Sequence, residues 1–319
     1  MKLVRSLLIA LSVVAPQHLS AQPNAVPVTI IVPYPAGSTA DVLPRLAAQI
    51  LTEETGRVYI IDNKPGATQT IGMRAAASAK PDGNTILFAS ATSLVMAPAI
   101  KKALPYDPIG DFEPITLTNI APLYLIARRD LPVKSISDLL DLARKQPGKL
   151  TYGTGGYGSI AHLAGELLKS RSGIDIVPVP YTGAGPALRD VIGGHIDMTF
   201  TGSLQGMTEQ VRVLATTGAT RTEAMPLIPT VAESGLDGFE VASWFGFLAP
   251  AGTSEDIVHA FARDIGRVVT SQEFRQRMES SGNEVEIKTS TPAEFRALIV
   301  GQIPLWKSIV KAANILPVD

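Results

Sequence analysis

Val28-Thr29-Ile30-Ile31-Val32, running directly into Pro33-Tyr34-Pro35-Ala36-Gly37-Ser38-Thr39-Ala40-Asp41, is the stretch on which the fold depends. The first five residues are apolar or β-branched with no alternation, which suits a strand covered on both faces. The next nine mix proline, glycine and hydroxyl residues, and a helical pattern follows over residues 42–54. A buried strand, a tight loop and a helix in that order form the opening of a βαβ unit. The rhythm continues with a strand at 58–62, a turn at Asn63-Lys64-Pro65-Gly66 and an Ala-rich helix at 70–78. Pro81-Asp82-Gly83-Asn84 then turns the chain into a strand at 85–89. Alternation of this kind predicts a mostly parallel sheet.

Between Leu104 and Arg129 the rhythm changes to two extended stretches, 112–118 and 123–128, separated by Asn119–Pro122. No helix of useful length is expected between them, so the chain passes here from one domain to another. A second βαβ series follows. It has a helix ending at Lys145 capped by Ser135 or Ser137, a strand at 150–153, a helix at 159–170 and a buried strand at 176–180. A helix at 186–192 and strands at 196–200 and 211–216 complete it. Residues 239–249, rich in aromatics, are read as a second crossing, followed by amphipathic helices at 254–270 and 291–313 with a strand at 284–288 between them. Pro304 is expected to kink or divide the last helix. The predicted domains are 22–123 with 245–319, and 124–244.

Lys2 and Arg5, the apolar run of residues 7–15 and the small residue Ala21 have the layout of a secretory signal over residues 1–21. As a helix that run reaches about 14 Å, half of a hydrocarbon core, so it does not span a membrane. The 319-residue chain has no cysteine, which excludes disulfides, thiolate metal sites and a lipid-modified N-terminal cysteine. A net charge of −1 argues against nucleic-acid binding, which needs a basic surface. The four histidines show no metal-ligand spacing, and no Walker loop or Gly-x-Ser-x-Gly elbow occurs. The expectation is a protein without enzymatic activity, cofactor or metal.

Small residues at Ala36, Gly37 and Ser38 let backbone amides approach a ligand at a helix start, where unpaired N–H groups favour an anion. Asp41 has two readings, structural N-cap or ligand contact. Gly153-Thr154-Gly155-Gly156-Tyr157-Gly158-Ser159 repeats this design in the second half. It also mimics a dinucleotide fingerprint, with Asp175 downstream, but Asp175 precedes its strand and so lies at the wrong end of the sheet. Ser159 and His162 are read chiefly as capping or orienting groups. Ser90-Ala91-Thr92-Ser93 supplies hydroxyls at the end of the third strand, suited to a carboxylate or its water shell. Trp244, Phe245 and Phe247 are read as core or hinge packing rather than a ligand stack.

Together these motifs resemble the Bug or TctC family, the extracytoplasmic solute-binding receptors of tripartite tricarboxylate transporters. The first loop is similar to that family's proline-aromatic-x-x-Gly-Gly-x-x-Asp loop, with Ser38 in place of the second glycine. Leu104–Pro108 and Asp111–Pro114 match its crossover, and residues 152–166 its second loop. Pro180-Tyr181, Gly183, Pro186-Ala187 and residues 193–197 fit further on, as do Pro229-Thr230, Glu233, Gly235, Trp244, Gly246, Ala249-Pro250 and Gly252-Thr253. Thr182 stands where the family usually has a basic residue. Thr201-Gly202 begin a segment before Val211 that is shorter than usual and lacks the usual acid. The resemblance implies a two-domain α/β periplasmic binding protein of type II, a Venus flytrap whose mixed sheets are flanked by helices and joined by two crossovers. It implies a monomer that closes on a small mono- or dicarboxylate and docks to a membrane permease, or alternatively to a sensor kinase. The ligand residues it implies are Tyr34, Ala36, Gly37, Ser38, Thr39 and Asp41; Ser90, Thr92 and Ser93; Thr154, Gly155, Gly158, Ser159 and His162; and Tyr181 and Thr201.

Overall fold

The computed structural model describes residues 26–202, 204, 208–280, 286–312 and 315, so the signal segment expected at 1–21 lies outside the described residues. Strand β1 (Val28–Val32) is almost wholly buried and leads to helix α1 (Thr39–Thr55). Gly56 closes α1 in the left-handed conformation, its N–H bonded to Thr52 O, as a helix terminus requires. Strand β2 (Tyr59–Asn63), helix α2 (Thr70–Ala77) and strand β3 (Thr85–Ser90) follow. Both β2 and β3 pair with β1 in parallel. After β3 the chain enters a π-helical turn, Thr92–Met96, and the short helix α3 (Ala97–Ile100).

The long strand β4 (Phe112–Pro122) pairs antiparallel along its whole length with β10 (Ala242–Pro250), which also pairs antiparallel with β3. The two-residue strand β11 (Glu286–Ile287) sits on the outer side of β4, the part of the expected 284–288 strand that falls within the described residues. The first sheet therefore runs β11-β4-β10-β3-β1-β2 and is mixed. Its covering helices include α7 (Glu255–Thr270), α8 (Gln272–Ser280) and α9 (Pro292–Ala312).

The second sheet is built from β5 (Tyr124–Arg128), β6 (Thr151–Thr154), β7 (Val177–Pro180), β8 (Met198–Thr201) and β9 (Val211–Thr216). Its order is β7-β6-β8-β5-β9, with β6 parallel to both neighbours and β5 antiparallel to both of its own. Helices α4 (Ile136–Lys145), α5 (Ile160–Ser172) and α6 (Ala184–Ile192) accompany it. Ser135 caps α4, its hydroxyl accepting from Asp138 N. The α/β class with two helix-flanked mixed sheets is as the sequence indicates.

Two expectations change. Asn119–Pro122 does not interrupt the extended stretch, because β10 supplies a partner to every part of β4 and absorbs the irregularity in bulges. Strand β7 is not buried: it is a sheet edge with Val177 39% exposed, and Pro178 and Pro180, which have no N–H to donate, suit that position. The π turn with α3, and helix α8, fill stretches for which no element is expected. Pro304 does not divide α9. A proline inside a helix costs about 3 kcal/mol. The stripe Phe295, Ile299, Ile303, Trp306, Ile309 and Val310 offsets this, since each fully buried large side chain contributes roughly 1.5–3 kcal/mol.

One hydrophobic cluster lies between the first sheet and α1, α7 and α8. A larger one is continuous through both sheets and includes Ile299, Trp306, Leu163 and Leu167. Helix α9 belongs by its neighbours to the first sheet, yet it packs against α5 of the second.

Candidate functional site

In open α/β sheets ligands meet the carboxyl ends of parallel strands. Every candidate residue falls there. Tyr34–Asp41 follow β1, Ser90–Ser93 close β3, Thr154–His162 follow β6, Tyr181 follows β7, and Thr201 ends β8. Gly158 brings the second of these loops against the first half of the molecule. A Cβ on it would lie 3.0 Å from Ile100 Cδ1.

The loop after β1 is held by an acid the fold has buried. Asp41 is 1% exposed and occupies the first turn of α1, while the N-cap position is Ser38. Asp41 is therefore not the N-cap. It reaches back to accept the Gly37 N–H at 2.9 Å, as the third residue of a capping box reaches back to its loop. Asn63 Nδ2 donates to Asp41 Oδ1 at 2.8 Å and to Tyr34 O at 3.0 Å. Arg45 donates from Nε and Nη2 to the same carboxylate at 2.9 and 3.1 Å. Burial works to raise the pKa of Asp41, but the bonds from Asn63, Gly37 and Arg45 together hold it below the ordinary carboxylate value. Ala36 and Gly37 are exposed, and Thr39 opens the helix.

Tyr34 donates its hydroxyl to Ser90 Oγ at 2.7 Å, and Ser90 donates onward to Gln69 Oε1 at 3.3 Å. Desolvation pushes the Tyr34 phenol up to about 12, so it remains a donor at neutral pH. The Ser93 hydroxyl turns inward to Ser90 O at 3.2 Å, and Tyr106 OH donates to Ser93 O at 2.6 Å. This leaves Thr92 half-buried at the head of the π turn, a form of helix often found at functional sites.

The loop after β6 copies the first in a different chemistry. Thr154 is buried and its Oγ1 accepts the Gly156 N–H at 3.3 Å. Gly158 N–H donates to His162 Nδ1 at 3.1 Å, and Ser159 Oγ accepts the His162 N–H at 3.3 Å, so Ser159 is a true N-cap. An accepting Nδ1 assigns the imidazole proton to Nε2. Burial lowers the pKa of His162 despite the opposing charge of Glu166, with Lys169 assisting, and so keeps the ring neutral. Gly155 is half-buried, and the Tyr157 ring lies tilted against that of His162, their centroids 5.1 Å apart.

The equivalence is close. Gly37 and Gly158 have φ of +76° and +74°, a conformation that favours glycine, and each donates its N–H to a side chain four residues on. These two amides are thus occupied within the protein, and the amides at the first helical positions beside them are the ones without an intrahelical acceptor. Tyr181 OH is likewise engaged, by Asp190 Oδ2 at 2.6 Å, and desolvation with Asp190 pushes it up to about 12. Thr201 is buried at the end of β8. Asp175 is exposed ahead of β7, at the opposite end of that strand from Tyr181. Trp244 and Phe247 are buried, Trp244 edge-on to Phe295 and bonded through Nε1 to Gln302.

Sequence reasoning does not find three residues of the site. Asn63 and Arg45 lock Asp41, and Gln69 supports Ser90 from an unusual backbone, φ +73°, two residues after Ala67 at +45°. Non-glycine residues held there store roughly 1–3 kcal/mol each and cluster at functional sites. The only sequence cue is the glycine-led turn Gly66-Ala67-Thr68-Gln69. Among the described residues no group of three or more His, Asp or Glu could hold a metal ion, and no helix is long and apolar enough to cross a membrane.

Two mixed sheets whose strand ends meet through helix-start loops define the periplasmic binding protein class. Rpa4515 of R. palustris, solved with adipate, is 32% identical, with 92% of this chain and 98% of that one covered and a TM-score of 0.74. The periplasmic binding protein BugD is 32% identical over 92% and 99% of the two chains, TM-score 0.70. MatC of Rhodopseudomonas palustris, with bound malate, is 28% identical over 89% and 98%, TM-score 0.69. Residues 43–315 match the tripartite tricarboxylate transporter family receptor, TctC, and this chain belongs to that family of solute-binding receptors.

Proposed function

We propose that this protein is a periplasmic receptor that captures a small mono- or dicarboxylate between its two halves for a membrane permease of the tripartite tricarboxylate type. The observation that carries this reading is the matched pair of helix starts, α1 and α5, each at the carboxyl end of a buried parallel strand. Each end presents unpaired amides and about half a positive charge. Hydrogen bonds to a charged ligand contribute roughly 1.5–3 kcal/mol apiece, so a handful supports micromolar binding, about −8 kcal/mol. The bound adipate of Rpa4515 and malate of MatC support the ligand class.

The lobes proposed are 22–123 with 245–319, and 124–244, a division supported by the two separate strand sets. The signal layout of residues 1–21 supports export, and the protein then acts as a freely diffusing monomer. Closure of the lobes on ligand creates the surface that the permease reads. Thermal-shift screening of the protein tests the ligand class: carboxylates should raise Tm through preferential binding to the folded state. A panel in which amines or sugars shift Tm while carboxylates do not would overturn it.

A further inference from the structure

The two crossings between the sheets meet at one buried side chain. The first sheet ends on the pair Pro122 with Ala242, and the second begins on the pair Tyr124 with Thr216. On the first crossing a single residue, Leu123, lies between them, and the second crossing enters the first sheet through Val241. Thr217 is buried between the two and bonds to both. Its N–H donates to Leu123 O at 2.8 Å, and its carbonyl accepts the Val241 N–H at 2.9 Å. Its hydroxyl accepts the Leu123 N–H at 2.8 Å and donates to Val241 O. A hydroxyl can do both at once, having a donor hydrogen and two lone pairs, where a methyl group of the same size can do neither. The chain leaves Thr217 hard against the first crossing: a Cβ on Gly218 would lie 3.1 Å from Pro122 Cβ.

We propose that Thr217 is the positioning residue of the hinge, coupling the two crossings so that the halves turn about one axis instead of flexing on two independent connections. This rests on the reading given above that the halves close on a ligand. Hinges are a few residues at the ends of elements that absorb the change in backbone angle. Two such connections moving separately would let the halves twist as well as close. Fastened side by side at Leu123 and Val241, they leave one rotation, which brings the starts of α1 and α5 to the same relative position each time. Less freedom is then lost on binding, the general benefit of preorganisation. The buried backbone groups of the crossings also need partners throughout the motion, and Thr217 supplies them without either sheet having to extend.

The chain has no cysteine, so spin labels can be attached uniquely to two introduced ones, Lys80→Cys and Lys145→Cys, at exposed positions in the first and second halves. Pulsed dipolar spectroscopy of the ligand-free protein then reads the distribution of distances between the halves. Thr217→Val keeps the shape and deletes both hydroxyl bonds, and should broaden that distribution. Thr217→Ser keeps the hydroxyl and should return the wild-type width. A merely structural threonine would lower Tm and leave the width alone, so Thr217→Val with the wild-type width overturns the proposal whatever its stability. A Thr217→Ser as broad as Thr217→Val overturns it too. Should Thr217→Val not fold, hydrogen exchange in the wild type decides. The Leu123, Thr217 and Val241 amides should be protected as well as the paired amides of β5 and β10, and faster exchange there overturns the coupling. Adipate, malate and other carboxylates added to the labelled wild type test closure separately. A distribution that none of them moves overturns closure on such ligands, while the ligand-free comparison still decides the coupling.

Discussion

The loops after β1 and β6 share a glycine at positive φ, an extended serine N-cap and a side chain in the third helical position that reaches back to the glycine N–H. They differ in what does the reaching. In the first half it is the buried carboxylate of Asp41, neutralised by Arg45; in the second it is the neutral imidazole of His162. The start of α1 therefore already carries an acid, while α5 has none in its first turn. An anion arriving from solvent meets a helix end partly compensated at α1 and an uncompensated one at α5. The same backbone device is thus built once around a buried ion pair and once around a neutral imidazole.

The strongest way to break this comparison is to remove the two reaching groups. Asp41→Ala strands the Gly37 and Asn63 donors and the Arg45 guanidinium, and should cost about 3 kcal/mol in urea unfolding, near the lower end for breaking a buried pair because Arg45 is 52% exposed. His162→Ala removes a neutral acceptor and a small ring contact and should cost about 2 kcal/mol. Equal losses would erase the distinction between an ionic and a neutral loop.

A second test uses the glycines. A methyl group added at Gly37 would have nothing within 4 Å, whereas one added at Gly158 would meet Ile100 at 3.0 Å. Alanine at 37 should cost about 1 kcal/mol of backbone strain, and alanine at 158 about 2 kcal/mol, because Ile100 must also move. The capping difference is smaller: Ser159→Ala should lower stability by about 1 kcal/mol. Chemical denaturation of each pair reads these effects directly.

The smallest effect separates the loops on the pH axis. His162 has its folded pKa depressed from 6.5, so the unfolded chain takes the proton first. Its contribution is complete above about 6.5 and is lost as pH falls from there toward the folded value. Asp41 has its folded pKa depressed from 3.8, so its contribution persists to lower pH and disappears only as pH falls below that value through the folded one. Replacing His162 with Gln should flatten the stability profile just below pH 6.5 and leave the acid limb intact. A profile unchanged by His162→Gln would show that another group carries the upper limb.

Much of this is legible along the chain because it is local. Val28–Val32 declares a two-sided strand by composition, and both glycine-serine turns declare helix starts. The parts that are not legible are set by distant partners. Asn119–Pro122 has turn chemistry, yet β10, more than a hundred residues away, keeps it extended. Asp41 has the sequence signature of a cap, because the side chains that claim it, Asn63 and Arg45, enter from β2 and from the next turn of the helix. The unusual backbone of Gln69 has no sequence cue beyond the glycine-led turn before it. Ser38 and Ser159 are indistinguishable by type and spacing, and only the hydrogen-bond pattern separates them.

The pairing of β10 with β3 and β4 also dictates an order of assembly. Strands β5 to β9 lie within one uninterrupted run, so the second sheet contains all its own partners. The first sheet begins the chain but stays divided into two pieces until Ala242–Pro250 has been delivered. Long-range strand pairing is slow, because the connecting loop must close before any contact rewards it. During synthesis the earlier half is consequently the later to finish. Its β3 and β4 edges stay open for the whole time the other half is folding, the interval in which unpaired strands are most prone to aggregation and most in need of a chaperone.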